Sequence, residues 1–157
     1  MTKIHILFVC LGNICRSPMA EYLMRDKVKK AGLQQKIETA SAGTSGWNDG
    51  QDMHCGTADI LDLYKISSEG FISRKVRSKD WVFFDYIIAM DDKNLQDLQS
   101  IFMQNNEKLF KITTLCPELG VDNIPDPWYT HNFQQTYTLL DQCCDALLTK
   151  IRKKYSI

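Results

Sequence analysis

The chain has 157 residues, a length that suits one domain with a sizeable core, and we expect a single domain spanning residues 1–157. Its 19 basic and 19 acidic residues give a formal net charge of zero, which argues against a nucleic-acid partner and against a disordered acidic tail. The apolar run near the N-terminus is too short for a signal peptide, and no apolar stretch approaches the length of a membrane span.

The cysteines are spread through the chain without the spacing of a disulfide framework: Cys10, Cys15, Cys55, Cys116, Cys143 and Cys144. Free thiols are typical of a reducing compartment, so we expect a cytoplasmic protein. The histidines do not combine with these cysteines in a metal-binding spacing, and no metal site is predicted. The basic stretch at residues 150–154 fits the cationic last turn of a terminal helix.

The hydrophobic pattern predicts strands that alternate with helices. The predicted strands cover residues 4–9, 37–40, 86–89 and 109–112. The predicted helices cover residues 17–31, 57–63, 93–103 and 133–153, with one further helical turn at 79–82. Alternation of this kind indicates an α/β fold with parallel strands and with helices on both faces of the sheet.

The carboxyl ends of the predicted strands are the expected place for a ligand, because open parallel sheets bind their ligands there. The residues that fall at these ends are Cys10, Gly43 and the pair Met90-Asp91. A tight polar loop follows Cys10, and then Ser17 and Pro18 suit the N-cap and the first position of a helix. The free N–H groups of that helix N-terminus favour an anion in the loop.

This loop is suited to phosphate chemistry. Gly12 allows the backbone to turn inward, and Asn13 tolerates the positive φ that a ring of inward-facing amides requires. The thiolate of Cys10, stabilised by those amides and by the guanidinium of Arg16, is the form that attacks phosphorus. The predicted phosphate-binding residues are Leu11, Gly12, Asn13, Ile14, Cys15 and Arg16. The alternative is that Cys10 is a core cysteine at the end of a strand and that Ser17 only caps a helix.

Asp126 is a candidate general acid. It lies between Pro125 and Pro127, whose rings stiffen the loop and disfavour helical geometry at the aspartate. A carboxylic acid held at fixed reach can protonate a leaving phenolate and can then activate the water that releases phosphate from the cysteine. The alternative is an ordinary surface turn.

Aromatic residues in loop-like stretches are candidates for a substrate slot. Trp47, Trp128 and Tyr129 lie among Gly, Asn, Asp and Pro rather than on periodic segments. If these loops surround the phosphate site, the rings form a deep slot that admits phosphotyrosine and leaves phosphoserine too short to reach Cys10. The alternative is that the rings pack over strand ends.

The loop sequence CLGNICRSP at residues 10–18 resembles the signature loop of the low-molecular-weight protein tyrosine phosphatases. Three further segments resemble family segments in family order: SAGTSGW at 41–47, FDYIIAMD at 84–91 and DPWY at 126–129. The resemblance extends over essentially the whole chain. It implies a three-layer single domain with a Rossmann-like sheet of four parallel strands in the order 2-1-3-4 and helices on both faces.

The resemblance also implies roles for individual residues. The matched catalytic residues are Cys10 as nucleophile, Arg16 as phosphate-binding residue, Ser17 as the hydroxyl that assists the thiolate and Asp126 as general acid. The residues matched to the support of the loop are Asn13 and Ser41, and the residues matched to the substrate slot are Leu11, Trp47, Trp128 and Tyr129.

The activity implied by the resemblance is hydrolysis of phosphotyrosine in proteins, and of small aryl phosphates, through a phosphocysteine intermediate and without a cofactor. Phosphotyrosine proteins would be the partners, and inorganic phosphate or other oxyanions would be competitive ligands. No nucleic acid or membrane partner is expected, and the chain is expected to be a monomer or a weak dimer.

Two positions raise separate questions. The family often has a histidine where this chain has Phe71, and that histidine supports the loop asparagine, so the support of Asn13 is left open. The resemblance supports a reversible disulfide between Cys10 and Cys15 that protects the nucleophile from further oxidation. The alternative is that Cys15 is only a small apolar residue of the loop.

Three other functions are possible on this scaffold. An arsenate reductase would need relay cysteines near residues 79–92, where this chain has none. A phosphoarginine phosphatase tends to carry threonine in place of Ile14, whose apolar side chain instead suits a phenyl ring. A non-catalytic phosphopeptide-binding module could dispense with Cys10 or Asp126, and both are present.

Overall fold

The computed structural model describes residues 2–157 and is built on a parallel sheet of four strands. The strands are β1 (Ile4–Cys10), β2 (Ile37–Gly43), β3 (Tyr86–Ala89) and β4 (Leu109–Lys111). Their order across the sheet is β2-β1-β3-β4, and every pair of neighbours is parallel. The fold class and the strand order expected from the sequence are therefore confirmed.

Helices connect the strands and follow the last one. They are α1 (Arg16–Lys30), α2 (Cys55–Leu63), α3 (Asp80–Phe83), α4 (Asp92–Phe102), α5 (Pro127–Thr130) and α6 (Phe133–Tyr155). Two turns of 3₁₀ helix, Ile112–Leu115 and Pro117–Leu119, lie between β4 and α5 in a segment expected to be a loop. The predicted helices and strands are present with shifted ends, and β2 differs most because its pairing with β1 continues as far as Gly43.

Two hydrophobic cores lie on opposite faces of the sheet, because β1 is apolar at consecutive positions and is buried on both sides. One core, against α1, α2 and α6, contains alternate residues of β1: Ile4, Ile6, Phe8 and Cys10. The other core, against α3 and α4, contains Leu7 and Val9 together with Leu98 and Phe102. This arrangement gives the three layers expected from the sequence.

The start of α1 differs from the prediction. The helix begins at Arg16, its N-cap residue is Cys15, and no side chain caps it. The prediction that Ser17 is the N-cap is wrong, because the Ser17 hydroxyl is engaged with Asn13 and Cys10 instead. The first N–H groups of α1 therefore have no side-chain cap within the helix, which is the arrangement that favours an external anion.

Helix α6 packs lengthwise on α1. Lys27 of α1 joins the two helices, since its Nζ atom lies 2.6 Å from a carboxylate oxygen of Asp141 and 2.8 Å from one of Asp145. The last turn of α6 carries Arg152, Lys153 and Lys154, which confirms the predicted cationic helix end. Within residues 2–157, none of the helices combines the length and the apolar composition that crossing a bilayer would take.

The carboxyl ends of three strands meet at one edge of the sheet. Cys10 ends β1 and lies in register with Gly43, which ends β2. Met90 and Asp91 directly follow β3. The expectation that these residues share one edge is confirmed, and the candidate site lies there.

Close packing of α2 against α6 predicts a cost for any side chain at Gly56. A Cβ atom at this position would lie 2.5 Å from two carbons of the Phe133 ring. We expect Gly56→Ala to lower the free energy of unfolding by about 1–3 kcal/mol through overpacking, although Ala has the better helix propensity. Urea unfolding would measure the change. In a Phe133→Leu background the same substitution should cost less, and an equal cost in both backgrounds would contradict the steric explanation.

Candidate active site

The loop that follows Cys10 connects the end of β1 to the start of α1. Asn13 has a φ of 54°, in the left-handed region that Asn tolerates better than most residues. Gly12 is required for a different reason: a Cβ atom there would lie 2.8 Å from Nδ2 of Asn48. That nitrogen donates to the Gly12 carbonyl oxygen at 3.1 Å. Asn48 therefore fixes one side of the loop, and the sequence analysis had missed it.

A chain of hydrogen bonds connects the Cys10 thiol to the interior. The Cys10 Sγ and Ser17 Oγ atoms are 3.0 Å apart. Asn13 Nδ2 donates to Ser17 Oγ and to Ser41 Oγ, at 2.9 Å in each case. Because Ser17 Oγ accepts a hydrogen bond from Asn13, the hydroxyl hydrogen of Ser17 is free to be donated elsewhere. The Cys10 sulfur is the nearer acceptor, since the alternative, the Ala42 carbonyl oxygen, lies 3.4 Å from Ser17 Oγ.

The support of Asn13 does not involve Phe71. Asn13 Oδ1 accepts from the backbone N–H of Arg74 at 3.0 Å, and Ser73 Oγ donates to the Asn13 carbonyl oxygen at 2.7 Å. Phe71 is buried instead against Tyr22, with ring centroids 6.0 Å apart. Main-chain and hydroxyl groups of residues 73 and 74 thus support the loop without the histidine of the family pattern.

Glu21 extends the chain of hydrogen bonds and was missed in the sequence. Ser41 Oγ donates to Glu21 Oε1 at 2.6 Å, and Arg25 donates to the other carboxylate oxygen. Burial raises the pKa of Glu21, although the bonds from Ser41 and Arg25 oppose this rise. A signal was available, since Glu21 lies four residues after Ser17 and four before Arg25 and so shares a helix face with both.

Arg16 is buried and is held by three acceptors. Its Nη1 donates to Asp91 Oδ2 at 2.6 Å and to the Ile124 carbonyl oxygen at 2.9 Å. Its Nη2 lies 3.4 Å from Asp126 Oδ2. Burial opposes the charge of Arg16, but the influence of Cys10, Asp91 and Asp126 outweighs burial and raises the pKa of the guanidinium. Asp91, which the sequence placed at the carboxyl end of a strand without assigning it a role, is therefore a residue of this site.

Asp126 faces the same cavity as Cys10 and begins α5. Its Oδ1 accepts from the Trp128 backbone N–H at 3.0 Å, while Oδ2 faces Arg16. The aspartate has extended backbone angles, φ −83° and ψ 113°, as the following proline favours. The structure therefore brings a carboxylate, a guanidinium and a thiol to one place.

This cavity has a volume of about 260 Å³ and aromatic walls. Three rings around it are largely exposed: Trp47 at 76%, Trp128 at 54% and Tyr129 at 73%. Leu11 and Ile14 add apolar surface, and Asn48 adds a polar group. The aromatic side chains are thus not packed over strand ends, and they form the sides of a slot that leads to Cys10.

Cys15 lies on the same loop as Cys10 and is also buried. Burial, followed by the charges of Cys10 and Asp126, raises the pKa of the Cys15 thiol to about 12. All six cysteines are free thiols in the described part of the chain. Among residues 2–157, no group of three or more His, Cys, Asp or Glu side chains is arranged to hold a metal ion.

A model of the family described as low molecular weight phosphotyrosine protein phosphatase matches residues 5–157. The chain belongs to this family. The resemblance inferred from the loop and from the three later segments is confirmed.

Proteins named as low molecular weight protein-tyrosine-phosphatases are similar in sequence to this chain along nearly its whole length. The low molecular weight protein-tyrosine-phosphatase YfkJ of Bacillus subtilis is 43% identical over 152 residues, which cover 96% of this chain and 97% of that protein. The low molecular weight protein-tyrosine-phosphatase PtpA of Staphylococcus epidermidis is 41% identical over 150 residues, which cover 96% of this chain and 95% of that protein.

Solved structures of the phosphatase family also match the fold. The crystal structure of YfkJ has a TM-score of 0.95 and 42% identity, and the match covers 98% of each chain. A protein tyrosine phosphatase from Entamoeba histolytica has a TM-score of 0.89 and 33% identity, with 98% of this chain and 99% of that chain covered.

The raised pKa values of two buried thiols predict selective alkylation. At neutral pH we expect iodoacetamide to modify Cys10 and the exposed Cys55 but to leave Cys15 and Cys143 unmodified, because burial raises the pKa of each of the latter two thiols to about 12. Peptide mapping by mass spectrometry would locate the modified sites. Inorganic phosphate should slow modification of Cys10 and not of Cys55, and Cys15 reacting as fast as Cys10 would contradict this picture.

Proposed function

We propose that this chain hydrolyses phosphotyrosine in proteins, and small aryl phosphates, through a phosphocysteine formed on Cys10. The observation that carries the proposal is a single cavity lined by Cys10, Arg16 and Asp126 and walled by aromatic rings. The two cores share one sheet, which supports a single catalytic domain over residues 1–157. A reaction that needs a free thiolate suits the cytoplasm, where thiols stay reduced.

In the first step, the Cys10 thiolate attacks phosphorus in line with the leaving oxygen. An electron pair of the sulfur forms the S–P bond as the bond from phosphorus to the aryl oxygen breaks. Asp126 gives its proton to that oxygen, so that a phenol and not a phenolate leaves. Arg16 and the loop N–H groups stabilise the charge on the three equatorial oxygens, a mainly electrostatic contribution to catalysis.

In the second step, water releases phosphate from the cysteine. Asp126, now a carboxylate, takes a proton from the water while the water oxygen attacks phosphorus and the S–P bond breaks. The electron pair returns to sulfur, and Ser17 stabilises the thiolate by donating its hydrogen across the 3.0 Å separation. Inorganic phosphate then leaves the same ring of donors, which is why phosphate and other oxyanions should compete with substrate.

The buried hydrogen-bond chain orients the Ser17 hydrogen. The Glu21 carboxylate can only accept, so the Ser41 hydroxyl must donate to it and accept from Asn13. The Arg74 N–H can only donate, so the Asn13 atom facing it must be Oδ1, which directs Nδ2 toward both serines. Ser17 Oγ therefore accepts from Asn13 and is left to donate to Cys10.

The walls of the slot support a preference for aryl phosphates. A phenyl ring can lie between Trp47, Trp128 and Tyr129 while its phosphate reaches Cys10 at the base. Ile14 presents apolar surface to that ring, whereas a guanidinium substrate would be helped by a hydroxyl at this position. The same geometry is unfavourable for phosphoserine, whose phosphate is too close to its backbone.

A comparison of substrates tests the proposed function. We expect measurable kcat/KM for phosphotyrosine peptides and much lower values for the matching phosphoserine and phosphoarginine peptides. Cys10→Ser should abolish turnover and still bind phosphotyrosine peptide, since the donors around the loop remain. Faster hydrolysis of phosphoarginine than of phosphotyrosine would favour the alternative activity, and binding without turnover by the unaltered protein would favour a binding module.

The acid role of Asp126 predicts a dependence on the leaving group. Asp126→Ala should lower kcat/KM for phosphotyrosine by about 100- to 10,000-fold, and should lower it far less for p-nitrophenyl phosphate, whose leaving phenolate needs no proton. Asp126→Asn is the matched control, because its amide oxygen can still accept from the Trp128 N–H and preserve the start of α5. Equal losses on both substrates in both variants would remove Asp126 from the acid role.

A further inference from the structure

A second cavity, of about 390 Å³, lies at the amino ends of β3 and β4 and therefore at the opposite end of the sheet from Cys10. Tyr86, the first residue of β3, and Lys108, which directly precedes β4, line it. The end of α6 contributes Lys150, Lys154 and Tyr155. These residues take no part in the proposed hydrolysis.

Two ammonium groups at this cavity lack an acidic partner within residues 2–157. Lys150 Nζ lies 5.2 Å from the centroid of the Phe110 ring, and Lys154 Nζ lies 5.5 Å from the Tyr155 ring and 5.9 Å from the Tyr86 ring. Lys27, in contrast, is paired with two aspartates. The positive charge of the cavity is available to a ligand.

The two acidic side chains at the cavity do not neutralise the positive charge of its three lysines. Asp85 Oδ2 already accepts from the His5 backbone N–H at 2.8 Å. Glu107 is the other carboxylate, and three lysines line the cavity against these two acids. Lys108 is held by the carbonyl oxygens of Trp81 and Phe84, which leaves Lys150 and Lys154 as the lysines of this cavity whose ammonium groups have no acceptor within residues 2–157.

Tyr86 adds a buried hydroxyl to this cavity. Its side chain is only 5% exposed, and its hydroxyl makes no hydrogen bond of ordinary geometry, although the Tyr155 hydroxyl is near enough to interact with it. Burial, followed by that interaction with Tyr155 and by the charge of Asp85, raises the pKa of Tyr86, so the hydroxyl keeps its proton at neutral pH. An oxygen atom of a ligand would give this buried donor an acceptor of better geometry.

We propose that this cavity binds a compact phosphate-type oxyanion with at least two negative charges. The ammonium groups of Lys150 and Lys154 bind it, and the Tyr86 hydroxyl donates to one of its oxygens. Three donors on different side chains suit a tetrahedral group with three or more acceptor oxygens, whereas a carboxylate offers two oxygens and one charge. The flexible lysine stems allow both ammonium groups to leave the aromatic rings and reach the anion.

Titration with pyrophosphate, followed by amide NMR spectroscopy, separates this cavity from the catalytic loop because each site responds through its own amides. We expect one set of shifts at residues 11–16 and a second set around Tyr86 and Tyr155. Lys154→Gln should weaken the second response about tenfold and leave the first unchanged. Tyr86→Phe, which alters no charge, should also weaken the second response alone.

Lys153→Gln is the matched control, since it removes the same charge from the same turn of α6 at a residue that does not line the cavity. It should leave both responses unchanged, and all three variants should retain hydrolysis of p-nitrophenyl phosphate. The proposal is overturned if the unaltered protein shows no second response, if Lys153→Gln weakens that response as much as Lys154→Gln, or if acetate produces an equal one. None of these readings depends on turnover, so they are independent of the proposed hydrolysis.

Discussion

The side-chain amide of Asn13 ties the phosphate-binding loop to three other segments of the chain. It donates to Ser17 on α1 and to Ser41 on β2, and it accepts from the Arg74 backbone. The residue is 1% exposed, so bonds that were left unmade would be costly there. Every polar site on this amide has a partner, so Asn13 fixes the loop to α1, to β2 and to the backbone at residue 74.

Arg16 is the second fixed element, and its burial is made possible by its partners. A guanidinium at 3% exposure would be unfavourable without compensating charge, and Asp91 and Asp126 supply that charge. The Asp91 carboxylate also accepts a hydrogen bond from the Asn94 N–H at the start of α4. The Asp126 carboxylate accepts one from the Trp128 N–H at the start of α5. Arg16 is thereby linked to the starts of α4 and α5, and these contacts orient its side chain without a bound substrate.

The sequence was informative wherever the signal was local. Consecutive apolar residues predicted the buried strand before Cys10, and the two prolines around Asp126 predicted a stiff, extended segment. The sequence was misleading at Ser17, which has the chemistry of a helix cap but is used by Asn13 and Cys10, because that choice depends on how β2 packs against α1. Glu21 was missed although its spacing places it on one helix face with Ser17 and Arg25, because a charged residue on a helix normally faces solvent and only its bond with Ser41 shows what it contacts.

The position of Phe71 illustrates how a departure from a family pattern can be compensated. A sequence shows that a hydrogen-bonding side chain has been replaced by an apolar one, but it does not show that a backbone N–H can take over the bond. Here the Arg74 main chain supplies the donor, and Phe71 packs in the core beside Tyr22. The substitution therefore exchanges a polar contact for apolar burial and leaves the loop fully bonded.

The two carboxylate oxygens of Asp126 have different partners. Oδ1 anchors the segment that carries Trp128 and Tyr129, whereas Oδ2 is turned toward the guanidinium and the reacting groups. In the proposed reaction, a proton can therefore arrive at or depart from Oδ2 while the hydrogen bond at Oδ1 stays in place. The aromatic slot would then keep its position as a phenol leaves and a water enters, so that the same cavity would serve both steps.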